Sequence, residues 1–343
     1  MESAKVEELY ELMVRSRFFE ELTKLLWEDG LISGELHIGI GEEATIAAVI
    51  ANLTVGDAIA CDHRGSPPFV MRGIDPVSIL LEIMGYPGEE SLCLGMGGHM
   101  HLFSKENLME SSGIVGASGP AATGFALAAK YKKTDNIAVS LSGEGSFNQG
   151  HMLESMNLAA VLNVPVLFVC KDNGWSITTR SCDLTGGNLV QRAKGFGIDG
   201  ISLNGLDVEE VYHALKSIIP KMRKDKKPFF LHCIVTHREG HFTTDPLLHP
   251  MKTLKKYGGS MTKSFLTPKG APIGKRIKSV GNILSSLVEF RKQTKTKNDP
   301  LNILRIKHKQ KTQEFDKIDQ KIDGEIGITL KKALLIYGKE VSK

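Results

Sequence analysis

A chain of 343 residues, 41% of them hydrophobic, is long enough to bury one large hydrophobic core or two ordinary ones. No run approaches the roughly 18 to 20 uninterrupted apolar residues of a membrane span, and the first five residues lack the basic and then apolar plan of a secretory signal peptide. We therefore expect a globular protein of the cytoplasm that does not enter a membrane.

Charge is divided unevenly along the chain. Residues 1–250 contain 21 Lys and Arg against 31 Asp and Glu, whereas residues 251–343 contain 22 against 8. The basic residues of the second part are scattered and are not interleaved with aromatic residues, so they predict a solvated face and no nucleic-acid partner. The five cysteines lie far apart without a Cys-x-x-Cys pair, which argues against a disulfide framework or a zinc site.

The periodicity of apolar residues predicts the elements of residues 1–250. Helical spacing over residues 5–28 predicts an opening amphipathic helix. Short apolar runs at residues 137–141, 164–170 and 229–236 predict parallel strands, and residues 152–162 and 208–222 predict helices between them. This alternation indicates an α/β fold with a doubly wound, mostly parallel sheet flanked by helices.

The second part of the chain has a different pattern. Residues 251–298 are rich in Gly, Ser and Lys and show little periodicity, which predicts a basic loop or insertion. Helical spacing returns after Asp299-Pro300. We therefore divide the chain into an α/β domain at residues 1–250, a loop or insertion at 251–298 and a C-terminal helical segment at 299–343.

The most informative motif is the turn Gly143-Glu144-Gly145-Ser146-Phe147-Asn148-Gln149-Gly150, between a predicted strand and a predicted helix. Glycines let the backbone approach a ligand closely, and the free N–H groups at a helix start favour phosphate. A Gly-rich turn of this kind is also common as a simple tight connection. The turn alone therefore leaves a phosphate site and a structural turn both open.

A second polar segment follows the next predicted strand. Asp172 and Asn173 lie just beyond it, as Glu144 lies beyond its own strand. Because parallel strands present their carboxyl ends together, Glu144 and Asn173 are expected to share one hard cation. With a backbone carbonyl and diphosphate oxygens as further ligands, the site suits Mg²⁺.

These residues carry a family resemblance. The 26 residues from Ser146 to Lys171 separate Gly145 from Asp172-Asn173, which is similar to the thiamine-diphosphate motif, Gly-Asp-Gly followed some 26 residues later by Asn-Asn. Between about His37 and Phe242 the chain resembles the alpha subunits of the decarboxylating component of pyruvate, branched-chain 2-oxo acid and acetoin dehydrogenases. The matching segments are His37-Ile38-Gly39-Ile40-Gly41-Glu42-Glu43-Ala44, His63-Arg64-Gly65, Gly95-Met96-Gly97-Gly98-His99-Met100-His101, Gly113-Ile114-Val115-Gly116-Ala117, Leu153-Glu154-Ser155-Met156-Asn157-Leu158-Ala159 and Gly240-His241-Phe242.

The resemblance implies a thiamine-diphosphate-binding fold and a role for each matching residue. The backbone of Gly113 and Val115 would meet the aminopyrimidine ring. Arg64 and His241 would contact the diphosphate, with backbone contacts from Gly145 and Ser146. Glu144, Asn173 and the Trp175 carbonyl would bind Mg²⁺. The candidate catalytic residues are His241, His63 and Ser66, which stands where the family carries a histidine implied in acyl transfer.

The resemblance also implies partners and a reaction. The family uses a Glu of a separate beta subunit to activate the cofactor, so we expect a beta subunit, with two alpha and two beta chains. The expected reaction cleaves acetoin or a 2-oxo acid and passes the resulting unit to the lipoyl group of an acyltransferase component. Phe242, which follows Gly240-His241, favours the acetoin branch.

Three positions depart from the family pattern. Glu144 replaces an Asp, Asp172 replaces an Asn, and Ser66 replaces a His that would exchange protons near neutral pH. These departures leave open a catalytically weakened paralogue that serves as a regulatory or structural subunit. Half of a split transketolase-like enzyme, which would share the diphosphate motif, is a further alternative.

Overall fold

A computed structural model describes residues 1–177, 179–236, 238–242 and 295–341. The predicted α/β fold is confirmed. Nine strands are described: β1 (Ala58–Cys61), β2 (Phe103–Ser104), β3 (Met109–Ser111), β4 (Ala138–Gly143), β5 (Val166–Asp172), β6 (Trp175–Ser176), β7 (Thr179–Arg180), β8 (Asp199–Asn204) and β9 (Phe229–Ile234).

Ten α-helices flank these strands in the described residues. They are α1 (Ser3–Glu28), α2 (Glu43–Ile50), α3 (Ser66–Met71), α4 (Pro76–Met84), α5 (Ser118–Tyr131), α6 (Gly150–Leu162), α7 (Leu189–Gly195), α8 (Val208–Asp225), α9 (Pro300–Lys307) and α10 (Thr312–Val341). No helix in these parts of the chain combines the length and the apolar character needed to cross a membrane.

Seven strands form one sheet in the order β2-β3-β1-β4-β5-β9-β8. Every neighbouring pair is parallel except β2 and β3. The short β6 and β7 form a separate antiparallel pair after β5. The parallel order places the ends of β1, β3, β4 and β5 at one edge of the sheet, where ligands bind in open α/β folds.

Both faces of the central strands are buried, which explains their continuous apolar runs. Leu167 and Val169 of β5 belong to the hydrophobic core that includes α1, α2, α4 and α8. Phe168 and Cys170 point to the opposite face and belong to the core that includes α5, α6 and α7. Strand side chains alternate between faces, so a strand covered on both sides is mostly apolar, and its buried polar residues, such as Ser140 of β4 and Lys171 of β5, have buried partners.

The C-terminal helix is confirmed and packs on the first helix. The ring of Phe315 in α10 stacks on Tyr10 of α1 at a centroid distance of 4.1 Å. The Tyr10 hydroxyl donates to Asp319 at 2.9 Å, and Arg305 donates to the same hydroxyl at 2.6 Å. The predicted loop or insertion at residues 251–298 lies outside the described residues as far as residue 294, and Thr296–Asn298 form a short 3-10 helix.

Candidate functional site

A cavity of about 400 Å³ opens at the carboxyl edge of the sheet. The loops after β1, β3, β4 and β5 contribute most of its wall. Its lining includes His37, Asp62, His63, Arg64, Met100, Ser112, Gly113, Ile114, Val115, Gly143, Glu144, Gly145, Ser146, Asn148, Gln149, Asn173, Trp175, Ser176, Ile177, Leu184 and His241. The cavity therefore lies where the topology places a ligand site.

The Gly-rich turn forms one wall of the cavity. It continues from β4 into a 3-10 helix, Glu144–Asn148, before α6 begins at Gly150. The first N–H groups of such a helical turn have no carbonyl partner within it, so Gly145 and Ser146 are placed to donate to an anion. A Cβ atom at Gly145 would lie 2.6 Å from Ser176 Oγ, so a side chain does not fit here without displacing Ser176.

The Glu144 carboxylate is buried at the cavity wall, 2% exposed. It accepts a hydrogen bond from Ser181 Oγ at 2.6 Å and another from the Asn173 backbone N–H. Burial, and then the negative charge of nearby Asp172, raise the pKa of Glu144 to about 7. A bound cation would favour its ionised form.

Asn173 lies beside Glu144, as predicted from the neighbouring strand ends. Gly143, the residue before Glu144, and Lys171, two residues before Asn173, are register partners in β4 and β5. Asn173 Oδ1 accepts from the Trp175 backbone N–H at 2.9 Å, which forms an Asx turn. This turn holds the side-chain amide of Asn173 and the main chain of Trp175 at the cavity, where the sequence predicted both.

Asp172 is placed differently from Glu144. It is absent from the cavity lining among the described residues, and its Oδ2 contacts His232 Nε2 of β9 at 2.9 Å. Its Oδ1 accepts from the Gly174 backbone N–H at 2.8 Å. Asp172 is nevertheless near enough to Glu144 for its charge to raise the pKa of that carboxylate. His232 was not predicted, because two residues 60 positions apart on neighbouring strands carry no local signal.

Arg64 is 2% exposed and lies at the centre of a buried charge network. Its Nε donates to the Ile38 carbonyl at 3.2 Å, and its Nη2 donates to the His241 carbonyl at 3.1 Å. Glu42 lies 3.9 Å from its Nη1. These contacts orient a guanidinium group, which matches phosphate geometry, at the cavity wall.

Lys171 completes this network, although sequence reasoning did not single it out. Its ammonium group contacts Glu42 at 2.6 Å and Asp62 at 3.2 Å. Burial alone would lower the pKa of Lys171, but Asp62 and Glu42 outweigh burial and raise it. The sequence did contain a signal for this network. A lysine at the end of a strand that is buried on both faces requires buried carboxylates as partners.

Three imidazole rings meet at the cavity. His37 lies 4.6 Å from His63 and 4.9 Å from His241 between ring centroids. Burial, followed by the charge of Arg64, lowers the pKa of His37 to about 4 and that of His241 to about 3, and lowers the pKa of His63 well below its usual range. All three rings are therefore neutral near pH 7.

Ser66 does not line the cavity in the described part of the chain. It is 2% exposed, and its hydroxyl donates to Glu20 of α1 at 2.6 Å. The other Glu20 oxygen accepts from the Gly39 backbone N–H at 2.7 Å. The remaining candidate residues, by contrast, all come together at the cavity: His63, Arg64, Gly113, Val115, Glu144, Gly145, Ser146, Asn173, Trp175 and His241.

Comparison with known proteins identifies related chains. A family model described as "Dehydrogenase E1 component" matches residues 10–254. The alpha subunit of acetoin:2,6-dichlorophenolindophenol oxidoreductase from Cupriavidus necator is 38% identical over 69% of this chain and 71% of its own. Its counterpart from Bacillus subtilis is 35% identical over 71% and 73%. The alpha subunit of the pyruvate dehydrogenase E1 component from Rickettsia bellii is 35% identical over 70% and 74%.

Proposed function

The chain belongs to the dehydrogenase E1 component family, and from this premise we propose that it is the alpha subunit of a thiamine-diphosphate-dependent acetoin or 2-oxo acid dehydrogenase. The main support for this proposal is the composition of one cavity. It is lined by the oxygen donors Glu144 and Asn173, by the N–H groups of the Gly145–Ser146 turn and by Arg64. Oxygen donors suit a hard cation, and the other groups suit a diphosphate.

The residues present fit Mg²⁺ and the cofactor. Glu144 and Asn173 offer a carboxylate and an amide oxygen beside the Trp175 carbonyl, which is an all-oxygen donor set. The absence of a side chain at Gly145 lets Ser176 pack against the turn, and a Cβ there would displace Ser176 or the turn that offers its N–H groups to the diphosphate. Glu144 substitutes for the family's Asp without loss of the negative charge.

When bound, thiamine diphosphate supplies a nucleophilic carbon and an electron sink for cleavage of a carbon–carbon bond beside a carbonyl. The residues of this chain bind and orient it. Glu144 and Asn173 would hold Mg²⁺, and the Arg64 guanidinium would offset negative charge of the diphosphate. The neutral ring of His63 could accept or donate a hydrogen bond at the cavity, the His241 ring contacts Arg64 there, and the backbone at Gly113 and Val115 would meet the ring of the cofactor.

A beta subunit is expected to complete the site, because the relatives are named as alpha subunits. The described cavity lining contains two carboxylates, Asp62 and Glu144, and both are held by hydrogen bonds inside the chain. Neither is therefore placed to act as the base that activates the cofactor. We propose that the partner supplies this base, in an assembly of two alpha and two beta chains that delivers the product to a lipoyl acyltransferase.

The substrate is proposed as acetoin first, with pyruvate and branched-chain 2-oxo acids as the other members of the class. The acetoin branch is supported by Gly240-His241-Phe242 and by the relatives from C. necator and B. subtilis. The relatives support this dehydrogenase function and give no support to the weakened paralogue or the split transketolase-like enzyme.

The test uses the chain copurified with its native partner. We expect reduction of 2,6-dichlorophenolindophenol with one of the three substrates, only when both thiamine diphosphate and Mg²⁺ are present. Glu144→Gln should abolish it, since the substitution removes the one carboxylate among the proposed Mg²⁺ ligands Glu144, Asn173 and Trp175. The exposed Glu106→Gln serves as the matched control and should retain full activity. An intact, cofactor-loaded complex that reduces the dye with none of the substrates would contradict the proposal.

A further inference from the structure

The three cavity histidines form a cluster that the proposed function does not fully use. His37, His63 and His241 each offer one ring nitrogen, and these three atoms lie within 4.8 Å of one another. They come from three separate segments: the loop before α2, the loop after β1 and the segment after β9. Their convergence on one point therefore depends on the tertiary fold and has no local structural cause.

Two of these rings carry a buried nitrogen without a partner. His37 Nδ1 and His63 Nε2 have no hydrogen bond within the described residues. Buried polar groups are normally hydrogen-bonded, so two adjacent unpartnered nitrogens in one cavity indicate that a ligand binds there. The His37 main chain is fixed separately, since its N–H donates to His99 Nε2 at 2.8 Å. The main chain of His37 is thus held in place, while its ring nitrogen Nδ1 has no partner among the described residues.

We propose that His37, His63 and His241 form a binding site for a divalent transition-metal ion of the Zn²⁺ class, separate from the Mg²⁺ site at Glu144 and Asn173. Imidazole nitrogens bind Zn²⁺, Co²⁺ and Ni²⁺, whereas Mg²⁺ prefers oxygen. Three protein ligands leave a fourth position open toward the cavity. The spacing of the cysteines argued against a zinc site, but it does not bear on a site made of histidines alone.

The geometry requires a modest closure of the cluster. Zn–N bonds of about 2.0–2.1 Å bring tetrahedral ligand atoms to about 3.4 Å from one another. Ring nitrogens at the 4.8 Å limit must therefore approach by roughly 1.4 Å, through movement of the His37, His63 and His241 side chains. The neutral state of the three rings, described above, is the state that binds a metal without releasing a proton.

Local charge neither excludes nor dominates the site. Arg64 Nη2 lies 3.5 Å from His241 Nδ1, and this cation opposes a second positive charge. Lys171 adds another, while Glu42 and Asp62 supply two negative charges in the same buried network. The four side chains sum to zero formal charge, so the two carboxylates offset part of the repulsion that the incoming ion meets from Arg64 and Lys171.

Metal and cofactor are expected to exclude each other. This step depends on the proposed function, in which Arg64 and His241 contact the diphosphate. A transition-metal ion held by His241 would occupy that contact and draw the ring away from Arg64. Zn²⁺ would then slow cofactor loading, and saturation with thiamine diphosphate and Mg²⁺ would expel it.

The test begins with the metal-free chain in complex with its partner, titrated with Zn²⁺ against a chelating dye and with Co²⁺ by visible absorption. We expect one ion per chain and cobalt d–d bands without a thiolate charge-transfer band. His37→Gln and His63→Gln should each lower the affinity by on the order of 100-fold, at least the effect of losing a supporting residue. Circular dichroism of both variants confirms that they are folded.

Matched variants separate this site from other metal sites. The exposed His213→Gln and the exposed Cys182→Ser should keep the wild-type affinity, and Glu144→Gln should keep it as well. Unchanged affinity in both cavity histidine variants would overturn the proposal, as would a loss of Zn²⁺ binding in Glu144→Gln, which would place the ion at the oxygen site.

Cofactor titrations distinguish this inference from the proposed function. Binding of thiamine diphosphate with Mg²⁺ is measured first with transition metals chelated and then at saturating Zn²⁺. We expect at least a 10-fold weaker apparent affinity in the second case. No cofactor binding in either case contradicts the proposed function and leaves the metal result standing, whereas equal binding in both overturns mutual exclusion.

Discussion

Glu20 shows how one side chain outside the cavity positions several inside it. Its two oxygens accept hydrogen bonds from Ser66 and from the Gly39 backbone N–H. Ser66 follows the loop that carries His63 and Arg64, and Gly39 follows His37 closely. One buried carboxylate in α1 thereby ties two loops of the site together.

Glu20 also makes the stability of the protein depend on pH. Burial raises the pKa of Glu20 from 4.5 to about 7. Between these values the folded protein holds a proton that the unfolded chain releases, so the free energy of unfolding falls as pH rises through this window and stays lowered above it. Glu20→Gln removes this effect while keeping both contacts, because the Ser66 hydroxyl can rotate to accept.

We therefore expect Glu20→Gln to gain stability relative to wild type as pH increases. The gain between pH 4.5 and pH 8 should be on the order of 1–3 kcal/mol, measured by urea unfolding at several pH values. The exposed Glu28→Gln at the end of the same helix supplies the baseline. A difference between Glu20→Gln and wild type that is the same at every pH would contradict this assignment.

Substitution of Gly145 is expected to weaken cofactor binding. Gly145→Ala places a Cβ 2.6 Å from Ser176 Oγ and pushes the turn or Ser176 into the cavity, so the affinity for thiamine diphosphate with Mg²⁺ should fall at least 10-fold. Gly150→Ala, where a Cβ meets nothing within 4 Å, is the matched control. If Gly145→Ala binds the cofactor as wild type does, the turn does not approach the phosphate.

Some residues of the site could be predicted from the sequence, and others could not. Glu144 and Asn173 were predictable because each lies just beyond an apolar run, and parallel strands bring such positions together. Glu42, Asp62 and Lys171 were not recognised as a network, since their ion pairs join the loop before α2, the end of β1 and the end of β5. Ser66 was assigned a catalytic role from its place in a motif, whereas its contact with Glu20 depends on packing against α1.

At the scale of elements, the sequence predicts the helices and strands that have strong apolar patterns and does not predict the short strands. α1, α6, α8 and the central strands have long or uninterrupted apolar patterns, and they lie where predicted. β1, β2 and β3 have four, two and three residues, too few for a period to be distinguished. Their positions are determined by pairing within the sheet, which no local pattern records.

The packing of α10 on α1 is expected to stabilise the folded protein. Phe315 is fully buried and stacks on Tyr10, and it belongs to the same core as α1 and α2. Phe315→Ala should lower the free energy of unfolding by about 3–5 kcal/mol. Leu335→Ala, at a site 62% exposed in the same helix, should change it by no more than about 0.5 kcal/mol.

Urea unfolding of both variants measures this difference. A small loss for Phe315→Ala, comparable with that of Leu335→Ala, would show that α10 is dispensable for the stability of the α/β core. A single cooperative transition in wild type would agree with one shared core.

At the scale of the whole molecule, the mouth of the cavity is unusually apolar for a solvated surface. Ile114 is 65% exposed and Val115 is 53% exposed, and both line the cavity together with the half-exposed Ile177 and Leu184. Exposed apolar residues clustered at the entrance of a polar site are typical of a surface that another chain covers. The proposed beta subunit, which must reach the cofactor, would cover this mouth.

Ile114→Asp tests this arrangement. Burying an unpaired carboxylate in an apolar interface is costly, so the affinity for the beta subunit should fall at least 10-fold, measured by analytical ultracentrifugation. Val55→Asp is the matched control, because Val55 is 98% exposed in the loop before β1, at the opposite edge of the sheet. The isolated Ile114→Asp chain should unfold with wild-type stability. Equal assembly of both variants would show that the beta subunit binds elsewhere and that the cavity opens to solvent in the complex.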